Sequence, residues 1–114
     1  MKKFRKPKKF DVNAVVIGAG AAGLVSSIIF AGGRGKVVLI EQSKMGGDCL
    51  NTGCIPSKSL IRPSRLMFDI SHASEFGIEI GEREVNFGEV INRIKKVIKS
   101  IEPHDSIERL TSLG

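Results

Sequence analysis

Cys49 and Cys54, the only 2 cysteines in the 114-residue chain, are the strongest candidates for a reactive pair. Two thiols can interconvert with a disulfide and so carry two electrons. In a straight α-helix, residues five apart have Cα atoms about 8 to 9 Å apart, whereas a disulfide needs less than about 7 Å. A bridge between the two therefore requires a distorted helix, which Gly53 and Pro56 could provide.

The cysteine pair has three interpretations. As a redox pair, it would form a strained and easily reduced disulfide, and a nearby helix N-terminus would lower the pKa of a thiol. Zinc binding is disfavoured, because two cysteines without a second pair of ligands make a poor site, and we predict no metal. The third interpretation is two unrelated buried thiols, since free cysteine is often simply buried.

A glycine-rich turn lies upstream of the cysteines. Gly18, Gly20 and Gly23 follow an apolar run and lead into a segment of small residues, which is typical of a dinucleotide-binding turn. Gly20 would let a pyrophosphate approach the backbone, and N–H groups near Ala21 and Ala22 would face the phosphates. The motif indicates an adenine dinucleotide without separating FAD from NAD, and a turn used only for packing is the alternative.

The elements around this turn predict a βαβ unit. Residues 12–17 and 37–41 are nearly continuous apolar runs, typical of strands buried on both faces of a parallel sheet, and residues 24–31 suit a helix between them. Glu41 ends the second strand 18 residues after Gly23, where it can accept hydrogen bonds from both hydroxyls of a ribose. Because only two strands are visible, we expect a truncated nucleotide-binding domain.

The rest of the chain is predicted to be mainly helical. Residues 46–76 favour a helix that is interrupted near Pro56 and again near Pro63, and residues 78–80 could form a short strand.

A further helix is predicted between the cap pair Asn86 and Glu89 and its end near Pro103, followed by a last helical turn at residues 106–110. Its apolar residues recur at helical spacing and are expected to form one core-facing stripe. They are Phe87, Val90, Ile91, Ile94, Val97, Ile98 and Ile101.

The net charge of +6 is concentrated at the N-terminus, because 6 of the 18 basic residues lie in the first nine positions and the other 12 balance 12 acidic residues. We predict a basic, flexible, solvated arm over residues 1–10; an arm that binds nucleic acid is the alternative, disfavoured by the absence of Trp and Tyr. No apolar run reaches the roughly 18 to 20 residues of a membrane span, and the start does not resemble a secretory signal. The expected location is the cytoplasm.

Residues 16–23, Glu41 and residues 46–58 closely resemble the class I pyridine-nucleotide disulfide oxidoreductases, which include dihydrolipoamide dehydrogenase, mercuric reductase and glutathione reductase. Ser57-Lys58 is similar to the dihydrolipoamide dehydrogenase and mercuric reductase branch, and residues 102–109 resemble a mercuric-reductase-like subgroup. The resemblance implies an α/β fold: the truncated N-terminal part of a Rossmann-like FAD-binding domain. In it, the βαβ unit is followed by the redox helix and further helices, over residues 11–114.

The resemblance also implies roles for individual residues. Cys54 would lie against the flavin, Cys49 would exchange with substrate, and Lys58 would tune the electronics of the flavin. Asp48 stands where the family usually has threonine, which adds a negative charge near the cofactor. The residues expected to bind FAD are Gly18, Gly20, Ala21, Ala22, Gly23, Glu41, Gln42, Gly46, Gly47, Asp48, Cys49 and Lys58. His72 and His104 are not expected to be the catalytic base, which the family takes from a C-terminal domain.

The implied function is that of an FAD-dependent oxidoreductase. Electrons would pass from NAD(P)H, bound by a domain absent from this chain, through FAD to the Cys49–Cys54 disulfide, and then to a disulfide or dithiol substrate or to Hg(II). The full-length enzyme would be a homodimer, and these 114 residues alone are expected to be inactive. The alternative is a non-catalytic, truncated FAD-binding fragment that lacks the NAD(P) and dimerisation domains.

Overall fold

The computed structural model describes residues 9–114, so most of the predicted basic arm lies outside the described residues. Two parallel strands, β1 (Ala14–Ile17) and β2 (Val37–Ile40), pair in register with Ala14 opposite Val37. Helix α1 (Ala21–Gly32) connects them. The predicted βαβ unit is confirmed, although β1 begins two residues later than expected and Glu41 lies just beyond β2.

The two faces of this sheet differ. Side chains of one face, including Val16 and Leu39, are half-buried toward α1, whereas Val15 and Ile17 on the other face are 55% and 83% exposed. The predicted burial on both faces is therefore wrong for the described residues. Strands of this composition are normally covered on both sides, but within residues 9–114 helices cover one side only.

The cysteine segment forms two helices, α2 (Gly47–Asn51) and α3 (Cys54–Ser71), so the predicted single helix breaks at Thr52-Gly53 instead of at a proline. Pro56 is the third residue of α3, within the first turn, where no backbone N–H is needed for an intrahelical hydrogen bond. Pro63 lies inside α3, which continues through it. Neither proline interrupts the helix as expected.

A 3₁₀ turn (Ala73–Phe76) follows α3, and Gly77 closes it in the left-handed conformation, with φ of 73°. The predicted strand at residues 78–80 is wrong: these residues have no regular secondary structure and are exposed, and the described part of the chain offers them no strand to pair with. A single short strand without a partner leaves its backbone groups to water.

Helix α4 (Phe87–Ile101) begins as predicted, because the Asn86 side chain accepts a hydrogen bond from the Glu89 N–H at 3.2 Å. Its apolar stripe packs against α3, with Ile94 buried, although Phe87 at the first turn is exposed.

A 3₁₀ turn (Glu102–Asp105) containing Pro103 ends α4, and α5 (Ile107–Leu113) follows with Ser106 as its cap. The end of α4 near Pro103 agrees with the sequence prediction, whereas α5 extends three residues beyond the helical turn predicted at residues 106–110. Helix α5 packs on α1. Across residues 9–114, every helix is too short or too polar to cross a membrane.

Candidate redox and dinucleotide site

The turn between β1 and α1 requires glycine at two positions. Gly18 has φ of 98°, which L side chains rarely adopt, and its N–H donates to the Ile40 carbonyl at 2.7 Å. A Cβ on Gly23 would lie 1.8 Å from the Gly18 carbonyl oxygen, so α1 could not approach the turn with any side chain there. Gly20 differs, because a Cβ on it would meet open space. Glycine at position 20 therefore keeps the mouth of the turn open, and glycine at position 23 allows the packing.

The beginning of α1 offers free hydrogen-bond donors beside that open space. The first N–H of this region that has a backbone partner is that of Leu24, which donates to the Gly20 carbonyl at 2.9 Å. Within residues 9–114, the N–H groups of Gly20, Ala21, Ala22 and Gly23 have no hydrogen-bond partner. Unpaired N–H groups at the positive end of a helix dipole favour an anion such as a pyrophosphate. The donor set and the open space fit the predicted dinucleotide.

Glu41 follows β2 and reaches back to the same turn. One carboxylate oxygen accepts from the Ala19 N–H at 2.6 Å, and the other accepts from the Ser43 N–H at 2.7 Å. These two bonds hold the pKa of Glu41 below its ordinary value, and the N–H of Gln42 contributes less. An ionised carboxylate has about four acceptor sites, so Glu41 can still accept from a ribose. Gln42 itself is exposed in the following turn.

A second glycine turn packs directly against the first. The Gly46 N–H donates to the Ala19 carbonyl at 3.0 Å, and a Cβ on Gly47 would lie 2.7 Å from the Gly20 Cα. Both Gly46 and Gly47 have positive φ, of 83° and 54°. Sequence reasoning assigned these glycines to the cofactor by resemblance but did not predict the contact between the turns. Two adjacent glycines before a helix are the signal that could have found it.

The break between α2 and α3 brings the cysteines together. The N–H groups of Thr52 and Gly53 both donate to the Asp48 carbonyl, at 2.9 and 2.5 Å, which closes α2 tightly. A Cβ on Gly53 would lie 2.9 Å from that same carbonyl oxygen. The chain then starts α3 at Cys54, whose free thiol is exposed and interacts with the free, half-buried thiol of Cys49. Gly53 provides the predicted distortion, and Pro56 does not.

Interaction with the neighbouring Cys54 thiol raises the pKa of Cys49, and burial raises that pKa further. The positive charge of Lys58 acts in the opposite direction with a smaller effect. The lowered thiol pKa expected from a helix N-terminus is therefore wrong for Cys49, because α2 has only 5 residues and a neighbouring thiol outweighs its dipole. A raised pKa favours the protonated thiol of Cys49.

Three charged side chains belong to the segments that contain or adjoin the thiols. Lys58 is exposed and lies one turn after Cys54, on the same face of α3. Asp48 is exposed, and its carboxylate accepts from the Thr52 hydroxyl at 3.3 Å. Asp105, which sequence reasoning missed, lines a cavity of about 250 Å³ together with Cys49. No spacing rule links positions 49 and 105, so only the packing of the turn after α4 reveals this carboxylate.

The sequence profile of the pyridine nucleotide-disulphide oxidoreductases matches residues 12–110. The chain belongs to this family. Dihydrolipoyl dehydrogenase from Chlamydia trachomatis is 42% identical over 89 residues, which cover 78% of this chain and 19% of that protein. Dihydrolipoyl dehydrogenase from Bacillus subtilis is 38% identical over 88 residues, covering 75% of this chain and 19% of that protein. The chain thus spans about a fifth of the length of these curated members of the family.

A solved structure supports the same family at the level of the fold. The Cu(II) complex of the HOCl-induced flavoprotein disulfide reductase RclA from Escherichia coli superposes with a TM-score of 0.66 at 28% identity, covering 89% of this chain and 20% of that chain. The α/β fold and its assignment to the first part of an FAD-binding domain of a disulfide reductase are therefore confirmed, and the chain is part of such a domain.

Proposed function

We propose that this chain is the segment of an FAD-dependent disulfide oxidoreductase that binds the adenosine and pyrophosphate of FAD and carries the redox-active thiols. The observation that carries the proposal is the contact between the two glycine turns, which sets the free donors of α1 next to the helix of Cys49. A dinucleotide site and a dithiol in one small region are the two parts that such chemistry needs. NAD(P)H would act through a part of the enzyme outside this chain.

The residues at the turn fit FAD. Gly20, Ala21 and Ala22 would donate to the pyrophosphate, and Glu41 would accept from the ribose. Gly46, Gly47 and Asp48 would line the cofactor because they adjoin the mouth of the turn, and Lys58 would lie toward the flavin. Bound FAD would supply two-electron chemistry between a nicotinamide and a disulfide.

The two cysteines would have different roles in the reaction. Interaction with Cys54 and burial raise the pKa of Cys49, which favours its protonated form. The family resemblance supports Cys54 as the thiol beside the flavin and Cys49 as the thiol that exchanges with substrate. In the exchange, a substrate disulfide receives two electrons and two protons from the dithiol, leaving the Cys49–Cys54 disulfide and two substrate thiols.

The proposed substrate is a small disulfide or dithiol, and the complete enzyme would act as a homodimer in the cytoplasm. A metal cation such as Hg(II) is a second candidate. Asp105 lines the same cavity as Cys49, and Asp48 directly precedes Cys49 in the sequence. Carboxylates attract a cation and repel an anionic disulfide, and the similar RclA is described as a Cu(II) complex.

Titration of the chain with FAD, followed by quenching of flavin fluorescence, tests the proposal. Gly20→Ala should weaken FAD binding at least about tenfold, because its Cβ would project into the open space where the phosphates would lie. Gly32→Ala at the other end of α1 is the matched control, since its Cβ also meets open space. Equal affinity in both variants, or tighter binding of NAD than of FAD by the wild type, would contradict the proposal.

A further inference from the structure

Pro63 leaves a hydrogen-bond acceptor without its usual partner in the helix that carries Cys54. In an α-helix, the N–H of residue i donates to the carbonyl of residue i−4. Proline has no N–H, so the carbonyl of Ser59 cannot receive this bond from position 63. Ser59 is the buried residue of α3, with 8% of its surface exposed. An unpaired carbonyl is costly at such a position, because water reaches it poorly.

Arg93 of α4 supplies the missing donor to the Ser59 carbonyl. Its guanidinium donates to the Ser59 carbonyl at 3.3 Å, a contact between residues 34 positions apart. The neighbouring residue, Ile94, is the buried residue of α4. The bond therefore joins the two helices at the point where each is most buried, and a charged donor makes it stronger than a neutral hydrogen bond.

The location of this bond connects it to the thiols. Ser59 directly follows Lys58 and is five residues after Cys54, a rise of about 7.5 Å along the helix. At its other end, α4 reaches the cavity that Cys49 and Leu50 line, through Ile101. Helix α4 thus contacts both halves of the cysteine segment, and the Arg93 bond is its polar attachment to the half that carries Cys54.

We propose that Arg93 is a positioning residue of the thiol pair: it supplies the hydrogen bond that Pro63 cannot, and so fixes the first turns of α3 with Cys54 opposite Cys49. Without the bond, the Ser59 carbonyl must find water, and the first turns of α3 move away from α4. The two sulfurs then meet less often, and the equilibrium between dithiol and disulfide shifts toward the dithiol.

A four-variant cycle tests the inference on the full chain: wild type, Arg93→Met, Pro63→Ala and the double variant. The measurement is the equilibrium of the thiol pair with glutathione, read by alkylation and mass spectrometry. In this reaction, the Cys49–Cys54 dithiol and one glutathione disulfide give the protein disulfide and two glutathione thiols. Because no FAD is needed, the result does not depend on the proposed function.

Arg93→Met should lower the equilibrium constant for forming the disulfide about tenfold when Pro63 is present. In the Pro63→Ala background the same change should have less than about a twofold effect, because residue 63 then donates to Ser59 itself. Arg93→Lys keeps a donor and should restore part of the loss. Lys96→Met, which removes an exposed positive charge from the same helix, is the matched control and should have no effect.

Two results would overturn the inference. The first is an equal effect of Arg93→Met in both backgrounds, including no effect in either, because the bond would then be unrelated to Pro63. The second is a loss with Lys96→Met as large as with Arg93→Met, because the charge of α4 and not the hydrogen bond would then control the thiols.

Discussion

Two regions of this chain are held together by different means. In the glycine–thiol region (residues 18–23 and 46–54), backbone meets backbone so closely that a single Cβ on Gly23, Gly47 or Gly53 would lie within 3 Å of another residue's main chain. In the helical pair (α3 and α4), the contact is one stripe of side chains, and the outer faces carry exposed residues such as Ile61 and Phe68.

The two kinds of contact differ in how well they tolerate substitutions. Side chains in a stripe can repack or leave a cavity, and each costs a limited amount of free energy. A backbone that approaches another backbone has no such freedom, since neither can change rotamer. The proposed chemistry lies in the glycine–thiol region, which tolerates substitution least. The helical pair packs beside that region.

Gly23→Ala tests the glycine–thiol region and should have the largest effect on stability. The new Cβ would lie 1.8 Å from the Gly18 carbonyl oxygen, so α1 must separate from β1. We expect loss of cooperative unfolding in urea, monitored by circular dichroism. Gly32→Ala, which adds the same methyl group to open space in the same helix, should unfold like the wild type. Wild-type stability of Gly23→Ala would contradict the low tolerance of the glycine–thiol region to substitution.

Ile94→Ala tests the tolerance of the helical pair. Removing the buried side chain of α4 should lower the free energy of unfolding by about 2 to 3 kcal/mol, because the stripe against α3 loses its most buried contact. The neighbouring exposed Lys95→Ala should change it by less than about 0.5 kcal/mol. A loss for Ile94→Ala as complete as that for Gly23→Ala would show that the two regions are equally intolerant.

The pH dependence of alkylation tests the electrostatics of the thiols. Since the pKa of Cys49 is raised, a smaller fraction of it is thiolate at pH 8, and its reaction with iodoacetamide should be slower than that of a free thiol. Cys54→Ala removes the neighbouring thiol that raises this pKa and should speed the reaction, whereas Lys58→Met removes a favourable charge and should slow it. Peptide mass spectrometry gives the rates. Changes of the opposite sign would contradict the thiol arrangement.

Asn86→Ala should have the smallest effect. It removes the side-chain cap from the N-terminus of α4, which typically costs about 1 kcal/mol. Urea unfolding measures the change, and Asn86→Asp, which can accept the same bond from Glu89, should restore it. A cost well above that of Ile94→Ala would mean that the start of α4 contributes more than its packed stripe.

The sequence predicted the elements whose signals are local. The apolar runs, the spacing of Gly18, Gly20 and Gly23, and the cap at Asn86 each specify backbone within a few residues, and these predictions are confirmed. Proline was a misleading signal in α3, because Pro56 is in the first turn and the carbonyl freed by Pro63 has Arg93. Local sequence could not reveal that second partner.

Contacts between segments far apart in the sequence could not be predicted from the sequence either. The approach of Gly47 to Gly20 and of Asp105 to Cys49 depends on how helices pack, and no spacing rule encodes it. The raised pKa of Cys49 has the same origin, since it follows from the meeting of two thiols and not from the helix end that sequence reasoning considered.

The visible spectrum of the chain with FAD, recorded before and after anaerobic reduction by dithiothreitol, tests most directly whether the glycine turns and the thiols form one site. The wild type and Cys49→Ser should both show a long-wavelength charge-transfer band between a thiolate and the flavin, and Cys54→Ser should lack it. A band that persists in Cys54→Ser, or a flavin spectrum that reduction leaves without the band in every variant, would contradict the account.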